Sequence, residues 1–297
     1  MGLGAINQSG GNSNGSQKPA VNRKTLLCAP MYLWAVLFIA LPLLYVVGIS
    51  FLSRNPTWGV GDRLTLESYR MLFSPSYFKV FLTSIQTAAI CCAISVLLGY
   101  PFAYCMAKAS PKRRAMLMIL VIVPFWTSAL IRTYGWMILL RANGPLNSLL
   151  QWIGVIERPL KLLYTDGAVL LGITYTLLPF VILPCYTAIE RMDWQAVEAA
   201  RDLGATPAKA FLTITLPMTL VGIISGVTLT FVPSMGMFFI SDLMGGGKSI
   251  LIGNLIQNQL TKGLNMPFGA ALAVAMLLLT ALVLWLQRKA GADTGLF

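Results

Sequence analysis

Asp242 is the acidic residue closest to the interior of an apolar run, and stepping back from it by fours gives Phe238, Ser234 and Thr230. On a helix that spacing makes one slowly drifting stripe. A carboxylate, a ring and two hydroxyls in line offer a counter-charge, a cation–π face and neutral hydrogen bonds. Together they could guide a passing ammonium chain. The plainer alternative places Asp242 in water, capping a helix end and pairing with Lys248. Catalytic chemistry has little to draw on. The chain contains no histidine, which excludes a Ser–His–Asp triad, a histidine-ligated zinc and an imidazole proton relay. No nucleophile elbow or metal cluster is present either, so no catalytic residue, cofactor or metal site is expected.

A second group of charges stands in EAARDLGATPAKAFLTITLP, residues 198–217, between two apolar runs. Gly204 suits the left-handed residue that ends a helix. Thr206 can cap the next helix, and Pro207 fits its first position. Upstream, Ala196, Ala199, Ala200 and Leu203 recur at helical spacing and make a small apolar face. Glu198 and Asp202 lie on another face with Arg201 between them. The segment reads as a stiff helix–turn–helix with a smooth side and a charged side, which is the form of a docking element rather than of a slack connector.

DLMGGGKS, residues 242–249, nearly spells a phosphate-binding loop, but Asp242 stands where that loop needs glycine. An acid there would repel phosphate, and the loop also needs a preceding buried strand in an α/β domain. The glycines are read as a turn, and any ATPase must be a separate protein.

The elements that hold these groups follow from composition. Of 297 residues 57% are hydrophobic and 11% charged, against roughly 25% charged in soluble domains. Mean hydropathy is +0.73. The net charge of +12 sits at the ends of apolar runs, which suits a membrane protein and not a nucleic-acid partner. The five cysteines lie in or beside apolar runs, as small buried hydrophobes do. Six windows approach the ~20 apolar residues that cross a bilayer: 30–52, 79–107, 114–140, 168–189, 214–241 and 267–287. The first is too long for a signal-peptide core and reads as an anchor. The fifth holds Pro217 and Pro233 and is expected to kink or to begin outside the bilayer. A short interfacial helix also fits residues 60–75. The expected fold is all-α, polytopic, with six transmembrane helices and a coupling loop at 191–213. Residues 1–28 read as a disordered tail, 29–290 as the membrane domain and 291–297 as a second tail. Lysines and arginines of the connecting segments are more numerous on the side of both termini than on the other. By the positive-inside tendency both termini and the 191–213 segment face the cytoplasm.

Glu198-Ala199-Ala200, then Gly204, Ile214 and Leu216-Pro217, resemble at every fixed position the EAA motif of permease subunits in binding-protein-dependent ABC importers. VPFWTSALIRTYGW (123–136) and FFISDLMGGGKSILIGNLIQNQ (238–259) are similar to spermidine/putrescine importer permeases, over roughly residues 80–290 in all. Gly236-Met237 replaces the Gly-Glu of many relatives, a feature of the B-type subunit. The resemblance implies that Glu198, Ala199, Ala200, Asp202 and Gly204 contact a cytoplasmic ATP-binding cassette ATPase dimer. It implies a second homologous permease, an extracytoplasmic binding protein, a bacterial inner-membrane location and polyamine import. An ion-gradient-driven transporter of small cations is the alternative; it would show inverted repeats and intramembrane acids, and it leaves the EAA-like loop unexplained.

Overall fold

A computed structural model describes residues 30–55 and 59–293. The tail expected at 1–28 lies outside the described residues, as do 294–297. The protein is an all-α polytopic membrane protein; among the described residues the one β interaction is an isolated bridge between Leu52 and Leu64. Two units divide after Tyr45. The described part of the first is helical and belongs to α1 (Pro30–Ser50). There Trp34 and Phe38 stand one turn apart with ring centroids 5.6 Å apart.

The second unit contains α2 (Glu67–Leu72), α3 (Pro75–Lys108), α4 (Pro111–Ile122), α5 (Ala129–Leu140), α6 (Pro145–Trp152) and α7 (Asp166–Glu190). It continues with α8 (Trp194–Asp202), α9 (Pro207–Met218), α10 (Leu220–Gly236), α11 (Phe238–Gly245), α12 (Ile252–Thr261) and α13 (Met266–Asp293). Four helices, α1, α3, α7 and α13, are long and apolar enough to cross a membrane, and two bent pairs, α4–α5 with α6 and α9–α10, bring the spans to six. The short helix allowed for at 60–75 is α2. The last helix runs to Asp293, past the edge expected at 290.

Helices α3, α7 and α10 pack on one another as the core of this unit. Small residues permit it. Ala88, Cys91, Ser95, Gly99 and Ala103 recur every three or four residues along α3 and are buried or nearly so. On α10, a Cβ at Gly222 would lie 2.6 Å from the Cβ of Ala188 and 2.8 Å from the Pro184 carbonyl oxygen. In lipid, where there is little hydrophobic drive between helices, such close backbone approach supplies the packing energy. We expect Gly222→Val to push α10 off α7 at a cost of about 1–3 kcal/mol, the usual scale of overpacking. A lowered thermal unfolding midpoint in detergent is the readout.

Two of the expected windows are not single helices. The window 114–140 bends by 99° between Trp126 and Ala129. Pro124 sits in a 3₁₀ turn (Val123–Trp126), and Thr127 is extended, so the helical hydrogen-bond ladder stops. The freed Pro124 carbonyl accepts from the Thr127 amide at 3.3 Å and the Thr127 hydroxyl at 2.8 Å, and also from the Arg132 guanidinium. The window 214–241 bends by 60° at Thr219, beside Pro217, while Pro233 stays inside α10. A second break at Met237 (ψ 63°) ends α10 before Phe238.

Candidate functional site

The 191–213 segment folds as α8, a tight turn and the start of α9. Asp193 caps α8 by accepting from the Gln195 amide at 2.9 Å. Gly204 stops the helix in the left-handed region, at φ +86°. The Ala205 amide donates to the Ala200 carbonyl at 3.0 Å and the Gly204 amide to the Arg201 carbonyl at 2.9 Å, the paired bonds of a Schellman stop. Thr206 then accepts from the Lys209 amide at 3.3 Å, with Pro207 at the first helical position. Glu198, Ala199, Asp202 and Gly204 are exposed and Ala200 is half-buried. The small apolar face expected on α8 is divided. Ala196 and Ala200 lean inward with Trp194 and Val197, whereas Leu203 is 90% exposed at the tip. A protruding Leu203 beside Glu198 and Asp202 gives the knob an apolar point as well as charges. Sequence spacing put Leu203 on one face with Ala196, Ala199 and Ala200, but the helix ends at Asp202 and Leu203 no longer follows that face.

The Thr230–Asp242 stripe is also divided, since the break at Met237 separates its halves. Thr230 and Ser234 are fully buried in α10. Thr230 donates to the Gly226 carbonyl at 2.9 Å and lies 3.2 Å from the Cys92 sulfur, and Ser234 donates to the Phe231 carbonyl at 2.6 Å. Their hydroxyls are occupied inside the subunit, so they do not continue the surface presented by α11. Phe238 and Asp242 are exposed on α11. The partner of Asp242 is the buried amide of Asn254, which donates to its carboxylate at 2.6 Å and to the Phe238 carbonyl at 3.0 Å. Asn254 also receives the Leu251 amide at 3.0 Å, so one side chain fixes α11 against the start of α12. The glycines after it form a turn, with Gly246 and Gly247 both at positive φ, and no helix begins at Lys248-Ser249.

Arg132 escaped the sequence reading because it lies inside an apolar window. It borders a cavity of about 310 Å³ with Phe102, Phe125, Tyr175 and Pro179. Its guanidinium lies 5.5 Å from the Phe125 ring centre, and its Nε is buried without a hydrogen-bond partner. Bonded to the Pro124 carbonyl, it closes the end that the bend leaves open, where lipid could not.

Residues 95–291 match the family described as binding-protein-dependent transport system inner membrane component. The chain belongs to this family. The chain is also 45% identical over 257 residues to the spermidine/putrescine transport system permease protein PotB of Escherichia coli (strain K12), covering 86% of this chain and 94% of that protein. Its counterpart in Haemophilus influenzae is 42% identical over 262 residues, covering 88% and 92%. A solved bacterial alginate ABC transporter, in complex with a periplasmic protein carrying an alginate pentasaccharide, superimposes with a TM-score of 0.70 at 18% identity, over 91% of this chain and 94% of that one. As an inner membrane transport component, the chain is a multi-pass membrane protein and carries no ATP chemistry of its own. The matched region contains both the capped knob and α11.

Proposed function

We propose that this chain is the membrane-spanning subunit of an ATP-driven importer of polyamines, forming half of the translocation path. The observation that carries the ATP-driven part is the complete EAA-like segment, built as a capped and exposed helix–turn–helix. The printed function of the relatives at 42–45% identity supports spermidine and putrescine as substrates. In this reading Glu198, Ala199, Ala200, Asp202 and Gly204 meet a cytoplasmic ATPase dimer, and Leu203 adds an apolar contact. A second homologous permease completes the path, and an extracytoplasmic binding protein delivers the substrate. Phe238 and Asp242 form one weak stop for an ammonium group along the way. High-affinity recognition belongs to the binding protein, because a deep well inside the path would slow release.

Orientation follows the positive-inside bias, with both termini and the knob in the cytoplasm. On a background lacking Cys28 and Cys105, an impermeant thiol reagent applied to intact cells should reach cysteine at Val155, which is 66% exposed, and miss cysteine at Ala208. Labelling at 208 would reverse the orientation and remove the docking role. Purification of the intact complex should bring an ATPase subunit in stoichiometric amount, which an ion-gradient-driven transporter would not need.

A further inference from the structure

The knob is tied to the rest of the subunit by a chain of aromatic contacts. Lys108, the last residue of α3, places its ammonium 4.6 Å from the Tyr104 ring centre and 5.1 Å from that of Trp194, the first residue of α8. Tyr104 and Trp194 are themselves 6.1 Å apart. Tyr104 also meets Phe211 of α9 edge-on at 5.9 Å, and Tyr100, one turn away on α3, meets Phe211 at 5.9 Å as well. Phe211 opens a π-helical turn, Phe211–Thr215, a form that recurs at functional sites. The Tyr100 hydroxyl then lies 2.8 Å from the Thr219 hydroxyl, with Tyr100 6% and Thr219 0% exposed. Thr219 already donates to the Thr215 carbonyl at 2.7 Å, so the Tyr100 hydroxyl is the donor to Thr219. Thr219 is the residue at which the fifth span bends by 60°.

We propose that Lys108, Trp194, Tyr104, Phe211, Tyr100 and Thr219 form a transmission element that carries displacement of the knob to the bend in the fifth span. This rests on the reading of residues 191–213 as the ATPase contact. The physical reason is stiffness. Each ring turns about only two side-chain torsions, and Phe211 packs against both Tyr100 and Tyr104, so a shift of α8 drags on the end of α3 and the π-turn. The cation between Tyr104 and Trp194 adds a cation–π attraction. The buried hydroxyl pair makes the last link directional. It fixes the bend to α3 through a single bond, where apolar packing alone would let the two helices slide.

The test uses the whole reconstituted complex and reads spermidine imported per ATP hydrolysed, a ratio that a mere loss of folded protein does not change. Tyr100→Phe keeps the ring and removes only the hydroxyl; Thr219→Val keeps the shape and removes the acceptor. Each should lower the ratio about fivefold, the scale of one net hydrogen bond. The double variant should fall no further than the lower single, because both remove the same bond. Lys108→Met should also lower the ratio and, being at the edge of the core, should not disturb folding. An unchanged ratio in Tyr100→Phe and Thr219→Val, or additive losses in the double variant, would overturn the transmission element. Gly204→Val, run alongside, reports separately on the docking reading. If it retains full substrate stimulation of ATP hydrolysis, the docking reading fails; if stimulation is lost while Tyr100→Phe keeps its ratio, only the transmission element fails.

Discussion

Gly204→Val is expected to abolish substrate-stimulated ATP hydrolysis while leaving the subunit inserted and assembled. At φ +86° a β-branched residue is strained by about 1–3 kcal/mol. A Cβ at this position meets nothing within 4 Å, so the penalty comes from the backbone and not from a clash. The turn relieves it by leaving the left-handed region, which breaks the Ala205–Ala200 and Gly204–Arg201 hydrogen bonds and re-aims Leu203 and Asp202. The packed core of α3, α7 and α10 does not include this turn, and so folding survives. Gly204→Asn is the matching control, since asparagine tolerates the same conformation and should keep most of the stimulation. Glu198→Arg should act by a different route, reversing one charge on the exposed face of α8 without touching the turn. Full stimulation in both Gly204→Val and Glu198→Arg would mean that the segment is not the contact.

The second large effect is expected at α11. Asp242→Asn removes the charge but keeps an oxygen able to accept from Asn254, so the bracket between α11 and α12 stays closed. If the carboxylate serves as a stop for an ammonium group, spermidine uptake should fall about tenfold, equivalent to about 1.4 kcal/mol. Assembly and unstimulated ATP hydrolysis should remain. Phe238→Ala should lower uptake as well, by removing the ring face. Unchanged uptake in both variants would take α11 out of the path and leave the polyamine assignment resting on the relatives.

The knob was legible in the sequence because each of its decisive residues acts locally. Gly204, Thr206 and Pro207 dictate a stop and a start whatever surrounds them. Its inner anchors were not legible in the same way. Tyr100 and Tyr104 lie inside an apolar window, where nothing local marks them; their role depends on α8 and α9 folding against the end of α3. Apolar windows set the number of spans but not their straightness. At the bend after Trp126 Arg132 returns to the Pro124 carbonyl across the break, and window counting registers such a residue only as an interruption. The stripe from Thr230 to Asp242 failed as one surface because its spacing assumes an unbroken helix. Gly236 precedes the break at Met237, but one glycine is a weaker signal than Pro233, through which the helix passes uninterrupted.

In the proposed function this subunit moves its substrate by borrowing ATP hydrolysis through the knob. The most direct measurement is uptake of labelled spermidine into proteoliposomes containing the purified complex, with binding protein on the substrate side and ATP available to the ATPase. We expect uptake that requires ATP and the binding protein, that survives collapse of ion gradients, and that disappears with Gly204→Val. Uptake driven by an imposed ion gradient in the absence of ATP would contradict the account.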